Sequence, residues 1–315
     1  MNKIIFRLSF SLVAIALIST SLYLYKDQEN LVLNEQTRET LGHSYIKLDD
    51  GTVHYQFNAK ALDTNPSAKI VVLVHGFSVP SYLFDPTFEF LITQGFQVLR
   101  FDLFGRGFSD RPDSDYSISL YVKQLHDLLT ALKIEDKVNL LGLSMGGAVV
   151  TRFSNRYPEK VNKISLIAPL VHTPDRPEIA AVKTPLLGEF LAKVVIVPKL
   201  LNGLSTTVFN PDSFPDWKEK FQPQTQYKGY SQAILNTARY LAGKNFISEY
   251  EQLGKSEKPI QLIWGKQDQV IPFENSKKLT RTIPRIEFHE IDQAGHLPHY
   301  EHSAKVNKLI VDFLK

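Results

Sequence analysis

The chain has 315 residues, 43% hydrophobic and 22% charged, which is enough for one large domain with a sizeable buried core. Its net charge of +3 comes from scattered basic residues, and the absence of a clustered basic stripe excludes nucleic acid as an expected partner. The chain contains no cysteine, which excludes disulfides, thiolate metal sites, cysteine nucleophiles and a lipid anchor attached through cysteine.

The N-terminus has the pattern of a targeting segment. Lys3 and Arg7 precede an uncharged stretch from Leu8 to Tyr25, so residues 1–26 are predicted to be a signal peptide and the protein to be secreted. The 18 uncharged residues also reach the lower limit for a membrane span, so the alternative is an uncleaved anchor that contacts the membrane and holds the protein outside the cytoplasm. Residues 27–42 are polar and are predicted to form a linker.

Strand-like segments follow. Residues 43–48 and 52–59 flank Asp49-Asp50-Gly51, a hairpin signal. Six further segments, mostly continuous runs of Val, Ile and Leu, have the pattern of parallel strands buried on both faces. These segments are residues 69–74, 96–102, 137–143, 161–168, 260–264 and 286–291.

Helical patterns alternate with the strands, which predicts an α/β fold with a mostly parallel sheet. They lie at residues 82–94, 117–132, 144–156, 274–282 and 302–314. No strand is evident between residues 170 and 254, and we expect a helical cap or lid there, with the core formed by 43–169 and 255–315. The apolar segment 186–201 favours a lid facing an apolar substrate, although a helix packed in a core would have the same composition. A second helical stretch is expected at 230–241.

Residues 142–146 read Gly-Leu-Ser-Met-Gly between a predicted strand and a predicted helix. That context is typical of a nucleophile elbow, in which a strained turn presents the serine hydroxyl. Glycine is expected at 142 and 146 because a side chain there would meet the neighbouring strand or helix. We therefore predict that Ser144 is a catalytic nucleophile; the alternative is a structural turn.

A catalytic serine needs a base and an acid that orients the base, and in this topology they follow in the order acid, then histidine. Asp268 follows the strand Ile-Gln-Leu-Ile-Trp, and His296 follows the strand Ile-Glu-Phe-His-Glu-Ile. Both are predicted at the same sheet edge as Ser144. His299 is the main rival base, although we expect it and His302 to be solvated.

Two other groups at the ends of strands have different expected roles. Asp102 also ends a strand, and we expect it to pair with Arg106 in the loop that follows. The loop His75-Gly76-Phe77 follows the strand Val-Val-Leu-Val. We predict that the backbone N–H groups of Phe77 and Met145 form the oxyanion hole, with His75 bonded within its loop.

The nine histidines show no spacing typical of metal ligands, and no glycine-rich phosphate loop is present. We therefore expect no metal and no other cofactor.

Together these motifs resemble those of the α/β-hydrolase superfamily. The resemblance spans residues 43–315 and rests on His75-Gly76-Phe77, Asp102-Leu-Phe-Gly-Arg-Gly-Phe-Ser109, Gly142–Gly147, Asp268 and Gly295-His296. Within the superfamily the chain is most similar to bacterial triacylglycerol lipases and carboxylesterases. That resemblance implies acylation of Ser144 by a small-molecule or lipid ester, contact with a lipid interface, and hydrolysis of the acyl-enzyme by water with His296 as base and then acid.

Two other functions compete with this one. The same triad supports hydrolysis of an amide or a carbon–carbon bond, and ring-cleavage hydrolases share the cap, although they are normally cytoplasmic. A non-catalytic binding member of the superfamily would usually have lost a catalytic residue, and none is lost here.

Overall fold

An eight-stranded sheet forms the centre of the protein, which we describe from a computed structural model of residues 2–58, 69–173 and 177–315. The strands are β1 (Ser44–Leu48), β2 (Gly51–Phe57), β3 (Ile70–Val74), β4 (Gln97–Phe101), β5 (Val138–Leu143), β6 (Val161–Ile167), β7 (Ile260–Gly265) and β8 (Glu287–Ile291). All eight predicted strands are present; the predicted end of the second, Ala59, lies outside the described residues.

The sheet is mostly parallel, as predicted. Its order is β1-β2-β4-β3-β5-β6-β7-β8, with β2 antiparallel to both its neighbours and every other pair parallel. The central strands β3, β4 and β5 are buried at every residue, because helices cover both faces. The carboxyl ends of β3 to β8 therefore meet at one edge, where loops gather the polar side chains.

Helices cover the two faces of the sheet at nearly the predicted positions. They are α3 (Asp85–Thr93), α4 (Ile118–Ala131), α5 (Met145–Arg156), α13 (Glu274–Thr282), α14 (Pro298–Glu301) and α15 (Ser303–Leu314). A short 3₁₀ turn, Ser81–Phe84, precedes α3. The Ser117 side chain caps α4 by accepting from the N–H of Leu120, which is why that helix begins there.

The predicted helical cap lies between β6 and β7. Its helices are α6 (Pro177–Lys183), α7 (Leu187–Leu191), α8 (Val197–Leu201), α9 (Leu204–Thr207), α10 (Trp217–Phe221), α11 (Tyr230–Leu241) and α12 (Ile247–Gly254). A π-helical segment, Ala192–Ile196, joins α7 to α8, so the predicted apolar segment 186–201 forms a nearly continuous helix. The unit boundaries 170 and 254 stay a prediction.

Two helices precede the sheet. The first, α1 (Asn2–Lys26), contains the stretch Ser9–Lys26, which is long and apolar enough to cross a membrane and has none of its residues buried. The second, α2 (Glu35–Leu41), shows that the prediction of a linker over 27–42 is wrong. Asn34 caps α2 at its start and left-handed Gly42 ends it; both are helix signals that the polar composition of this segment obscured.

Candidate active site

Ser144 lies on the turn that joins β5 to α5. Its φ of 55° and ψ of −120° place a residue with a side chain in a rarely occupied conformation. A Cβ on Gly146 would lie 2.1 Å from the carbonyl oxygen of Val74, so the turn requires glycine there. The Ser144 N–H donates to the Ile167 carbonyl and its own carbonyl accepts from the Leu170 N–H, both at 2.9 Å. These contacts hold the elbow that the sequence predicts.

Asp268 and His296 form a hydrogen-bonded pair at the same sheet edge. Nδ1 of His296 donates to Oδ2 of Asp268 at 2.8 Å. The Trp264 Nε1–H donates to the same oxygen at 3.1 Å, and the N–H groups of Val270 and Ile271 donate to Oδ1 at 2.8 and 2.9 Å. Because four donors surround this buried carboxylate, it is held in one orientation. Nε2 of His296 is thereby left as a proton acceptor.

Ser144 and His296 face one cavity of about 250 Å³, which we call the His296 cavity. Apolar side chains supply most of its wall, including Leu83, Leu143, Leu200, Trp217 and Leu297. Among the described residues, no hydrogen bond joins the Ser144 hydroxyl to His296. Such bonds commonly tighten only when substrate is bound, and the shared cavity brings both side chains to one substrate position.

A second cavity, of about 590 Å³, also reaches Ser144, and we call it the Met145 cavity. Its wall is again mostly apolar: Leu170, Val182, Ala238, Leu241, Ala242, Ile271 and Pro272. Three further polar side chains, His172, Thr173 and Asn275, line it, and among the described residues of the lining there is no lysine, arginine or carboxylate. The cap helix α11 and the segment after β6 therefore form an apolar chamber above the elbow.

Two backbone N–H groups lie beside Ser144. Met145 is the first residue of α5, so its N–H has no partner within the helix. A Cβ on Gly76 would lie 3.1 Å from the Cβ of Ser144, which places the Phe77 loop against the elbow. Neither N–H donates a hydrogen bond within the part of the chain that the structure describes. Both groups are therefore available to an oxyanion formed above Ser144.

His75 and Arg106 brace the loop that carries Phe77. The His75 Nδ1–H donates to the Gly76 carbonyl at 2.9 Å, and Nε2 accepts from the Leu103 N–H at 2.9 Å. Burial lowers the pKa of His75 to about 4, so the ring is neutral and its two nitrogens keep these separate roles. The Arg106 Nε–H donates to the Phe77 carbonyl at 2.8 Å. The loop is thus fixed from both ends.

The prediction that Asp102 pairs with Arg106 is wrong. Oδ2 of Asp102 accepts from Nδ1 of His54 at 2.7 Å, whereas Arg106 extends into the cap and donates through Nη2 to the Thr237 hydroxyl at 2.8 Å. The other donors of Arg106 are taken by the Phe77 carbonyl at 2.8 Å and the Tyr121 hydroxyl at 2.6 Å, so its guanidinium is held by these groups and not by Asp102.

The expectation that His299 is solvated is also wrong. The ring is fully buried, with its centroid 4.9 Å from that of Phe84, because α14 packs on the 3₁₀ turn before α3. Burial, reinforced by nearby His296, lowers the pKa of His299 to about 3. His302 is half-buried, and its Nε2 lies 2.8 Å from the Gln293 carbonyl oxygen. His299 lines neither cavity at Ser144, whereas His296 lines the first of them and is bonded to Asp268.

Sequence reasoning missed Trp264 and His54. A buried tryptophan needs an acceptor for its indole N–H, and Asp268 lies four residues after Trp264, so that contact had a readable signal. His54 had none: its partner Asp102 lies on β4's end, and only the pairing of β2 with β4 brings them together.

The described residues offer no metal centre. Across 2–58, 69–173 and 177–315, no group of three or more His, Cys, Asp or Glu side chains is placed to hold one ion. The site is therefore built from hydroxyl, imidazole, carboxylate and backbone N–H groups.

Sequence comparison finds relatives among known hydrolases. The family model described as alpha/beta hydrolase fold matches residues 69–303. The chain is 28% identical to the 2-hydroxy-6-oxononadienedioate/2-hydroxy-6-oxononatrienedioate hydrolase of Paraburkholderia xenovorans, over 85% of this chain and 93% of that protein. It is also 28% identical to monoacylglycerol lipase ABHD6 of Mus musculus, over 88% and 84% respectively.

Solved structures share the same architecture. The esterase EaEST from Exiguobacterium antarcticum superposes with a TM-score of 0.71 at 20% identity, covering 86% of this chain and 98% of that one. At that identity the superposition establishes a shared fold. The match of the family model over most of the chain establishes common ancestry. The chain therefore belongs to the α/β-hydrolase family.

Proposed function

We propose that this hydrolase cleaves carboxylic esters of lipids, as a carboxylesterase or acylglycerol lipase that forms an acyl-enzyme on Ser144. The observation that carries the proposal is the 2.8 Å hydrogen bond from His296 to Asp268, beside a cavity that His296 shares with Ser144. Only a histidine held in this tautomer has Nε2 free to accept the hydroxyl proton.

The reaction follows from the placement of these groups. As Oγ of Ser144 bonds to the ester carbonyl carbon, its proton passes to Nε2 of His296. The carbonyl oxygen becomes an oxyanion beside the N–H groups of Phe77 and Met145. Collapse of this tetrahedral intermediate breaks the bond to the alcohol oxygen, which takes the proton from His296. A water molecule then attacks the acyl-enzyme by the same steps, and the acid is released. Asp268 stabilises the imidazolium form in both halves.

The apolar cavities support a lipid-like substrate. The described residues that line the Met145 cavity include no cationic or carboxylate side chain, which favours a neutral, apolar acyl group. The relative named monoacylglycerol lipase acts, by its name, on an ester of this kind.

The second candidate is hydrolysis of another bond, such as a carbon–carbon bond in a carboxylated substrate. It is motivated by the relative whose name specifies a dioate, a substrate with two carboxylates. Such a substrate needs cationic partners at both ends. Lys199 lines the His296 cavity and is exposed, and among the described residues of the Met145 cavity lining His172 is the one basic side chain, so these linings favour the neutral ester.

Hydrolysis by the purified protein tests the choice. We expect turnover of neutral fatty acyl esters and little turnover of vinylogous diketo-dicarboxylates or amides. Ser144→Ala is expected to lower kcat by about 10⁴-fold or more while the protein stays folded, because members of a triad act as a unit. Ser119→Ala, an exposed serine on α4, is the matched control and keeps full activity. An active Ser144→Ala protein, or a wild type that cleaves only the dicarboxylate, would contradict the proposal.

We also infer that the enzyme works outside the cytoplasm, delivered by α1. The stretch Ser9–Lys26 of this helix is apolar and has no buried residue, and Lys3 and Arg7 precede it, a pattern shared by export signals and anchors. Fractionation of cells that express the full chain distinguishes them: a secreted enzyme appears in the medium or periplasm, whereas an anchored one stays in the membrane pellet after alkaline carbonate washing. Recovery of all the enzyme in the soluble cytoplasm would refute the inference.

A further inference from the structure

Two separate cavities reach the nucleophile from different sides. The His296 cavity and the Met145 cavity share Phe77, Ser144 and Val270 in their linings. His296 lines only the first, whereas Met145 lines only the second. An ester bound at Ser144 has two arms, an acyl chain and an alcohol, and the question is which arm enters which cavity.

Proton transfer decides the direction. The alcohol oxygen leaves only when it takes the proton that His296 received from Ser144, so this oxygen must lie on the His296 side. The oxyanion must face the N–H groups of Phe77 and Met145. Three of the four bonds of the tetrahedral carbon are thereby assigned: those to the alcohol oxygen, to the oxyanion and to Oγ of Ser144. The acyl chain takes the fourth direction.

We propose that the Met145 cavity is the acyl site and that the His296 cavity is the alcohol site. The proposal rests on the ester hydrolysis argued above and adds the substrate class. Because the acyl site measures about 590 Å³ and the alcohol site about 250 Å³, the preferred substrates have an extended acyl chain and a compact alcohol such as glycerol, methanol or ethanol. Short acyl esters of bulky alcohols are poor substrates.

Small side chains on the cap keep the acyl site open. Ala238 lies on α11 and Ala242 directly follows that helix, and both line the Met145 cavity beside Leu241. A larger side chain at either position fills space that an acyl chain would occupy. Thr206 is the counterpart on the alcohol side: it lines the His296 cavity from α9, and it is exposed, so substitution there does not disturb a core.

A grid of substrates against variants tests the assignment. The substrates are ethyl esters of C4, C8, C12 and C16 acids, and methyl, glyceryl and benzyl esters of the C8 acid, all measured as kcat/KM. For Ala238→Phe we expect a loss of about tenfold or more for C12 and C16 acids and little change for the C4 acid. For Thr206→Phe we expect the acyl profile to stay and the benzyl ester to lose about tenfold relative to the methyl ester.

Each outcome has a fixed meaning. The reverse pattern, in which Ala238→Phe acts on the alcohol series and Thr206→Phe on the acyl series, overturns the assignment, and so does an identical response of the two variants. Ala242→Leu provides the same acyl-side test if Ala238→Phe does not fold. A wild type that cleaves no ester at all overturns the proposed function and this inference with it, whereas an active wild type with a reversed pattern overturns this inference alone.

Discussion

The contact between Asp268 and His296 makes the sharpest prediction at the scale of single residues. In Asp268→Asn, the amide can present its N–H₂ to Nδ1 and favour the wrong tautomer of the ring. We expect kcat for ester hydrolysis to fall about 10³- to 10⁴-fold with little change in folding. Steady-state kinetics and circular dichroism of the purified variant test this.

The control for that variant is Asp292→Asn. Asp292 is closer in sequence to His296 but lies exposed and pairs with Lys266 at 2.9 Å. Activity should be unchanged in the control. A comparable loss in both variants would show that Asp268 has no special role.

Asp102 makes a prediction about stability and its pH dependence. Burial alone raises the pKa of this carboxyl, but His54, His75 and Ser81 outweigh burial and hold the pKa well below its usual range. A carboxyl whose pKa is lower in the folded state stabilises the fold above its unfolded value, near 4, and loses that contribution as the pH falls. We expect Asp102→Asn to lower the free energy of unfolding at pH 7 by about 2–3 kcal/mol.

Urea unfolding at pH 7, 5 and 3.5 measures this effect. The difference between Asp102→Asn and wild type should be constant from pH 7 to 5 and shrink at pH 3.5, where the wild-type carboxylate loses its advantage. Asp127→Asn, which removes a partly exposed ion pair with Lys123, should change stability by less than about 1 kcal/mol. A difference that is independent of pH would contradict the role given to the Asp102 charge.

What the sequence predicts at this scale depends on whether a contact is local. Ser144, Asp268 and His296 each follow a strand within five residues, and parallel strands bring their ends to one edge, so their meeting was predictable. The burial of His299 was not, because it depends on how α14 packs on a turn more than 200 residues earlier.

At the scale of elements, a carboxylate from the N-terminal segment binds the N-terminus of a helix in the cap. Glu29 accepts from the N–H of Gly229 at 2.8 Å and from that of Ser231 at 2.7 Å, at the start of α11. This is the position at which a negative charge is most stabilising. We expect Glu29→Gln to destabilise the cap by about 1 kcal/mol and to speed amide hydrogen exchange in α11.

Amide hydrogen exchange measured by mass spectrometry tests this contact at the start of α11 locally, which thermal unfolding of the whole protein would not. Exchange in the central strands β3 and β5 should be unchanged, since Glu29 touches neither. Glu39→Gln, an exposed carboxylate on α2, is the matched control and should leave α11 unaffected. Equal exchange in α11 for all three proteins would refute the capping role.

The sequence predicted some helices and strands more closely than others, and the reason is physical. The buried strands and the helices over the sheet have long, periodic apolar patterns, and their bounds agree with the structure within about two residues. In the described part of the cap, four of the seven α-helices have five residues or fewer, so hydrophobic periodicity carries little information there. Helix α2 is only seven residues long and has no buried residue, which left only its capping residues to reveal it.

At the scale of the whole molecule, the two cavities could not be predicted from the sequence. Their walls combine residues of β-strand loops with residues of the cap, and their size depends on where the cap rests on the core. Arg106 is one of the contacts that sets this position, because it joins the Phe77 loop to Thr237 on α11. The sequence predicted that a cap exists and that it faces the nucleophile, but not the division of the site into two chambers.

The last prediction concerns where the folded body begins. Helix α1 is exposed, whereas the residues that follow it bind the cap: Asp27 pairs with Lys193, and Leu31 exchanges backbone hydrogen bonds of 2.9 Å with Gln226 and Lys228. A protein of residues 27–315 should therefore keep full activity on soluble esters and the same melting temperature as the detergent-solubilised full chain. A protein of residues 34–315 loses these contacts as well as Glu29, and its melting temperature should fall by several degrees.

Both truncations leave the triad and its strands intact, so a difference between them measures the segment 27–33 alone. It also bears on processing, because a signal peptidase that cut after Asp27 would remove the residue that pairs with Lys193 of the cap. The N-terminal residue of exported enzyme, measured by mass spectrometry, should therefore be residue 27 or an earlier one. Equal melting temperatures for 27–315 and 34–315, or a natural N-terminus beyond residue 31, would show that this segment does not belong to the folded body.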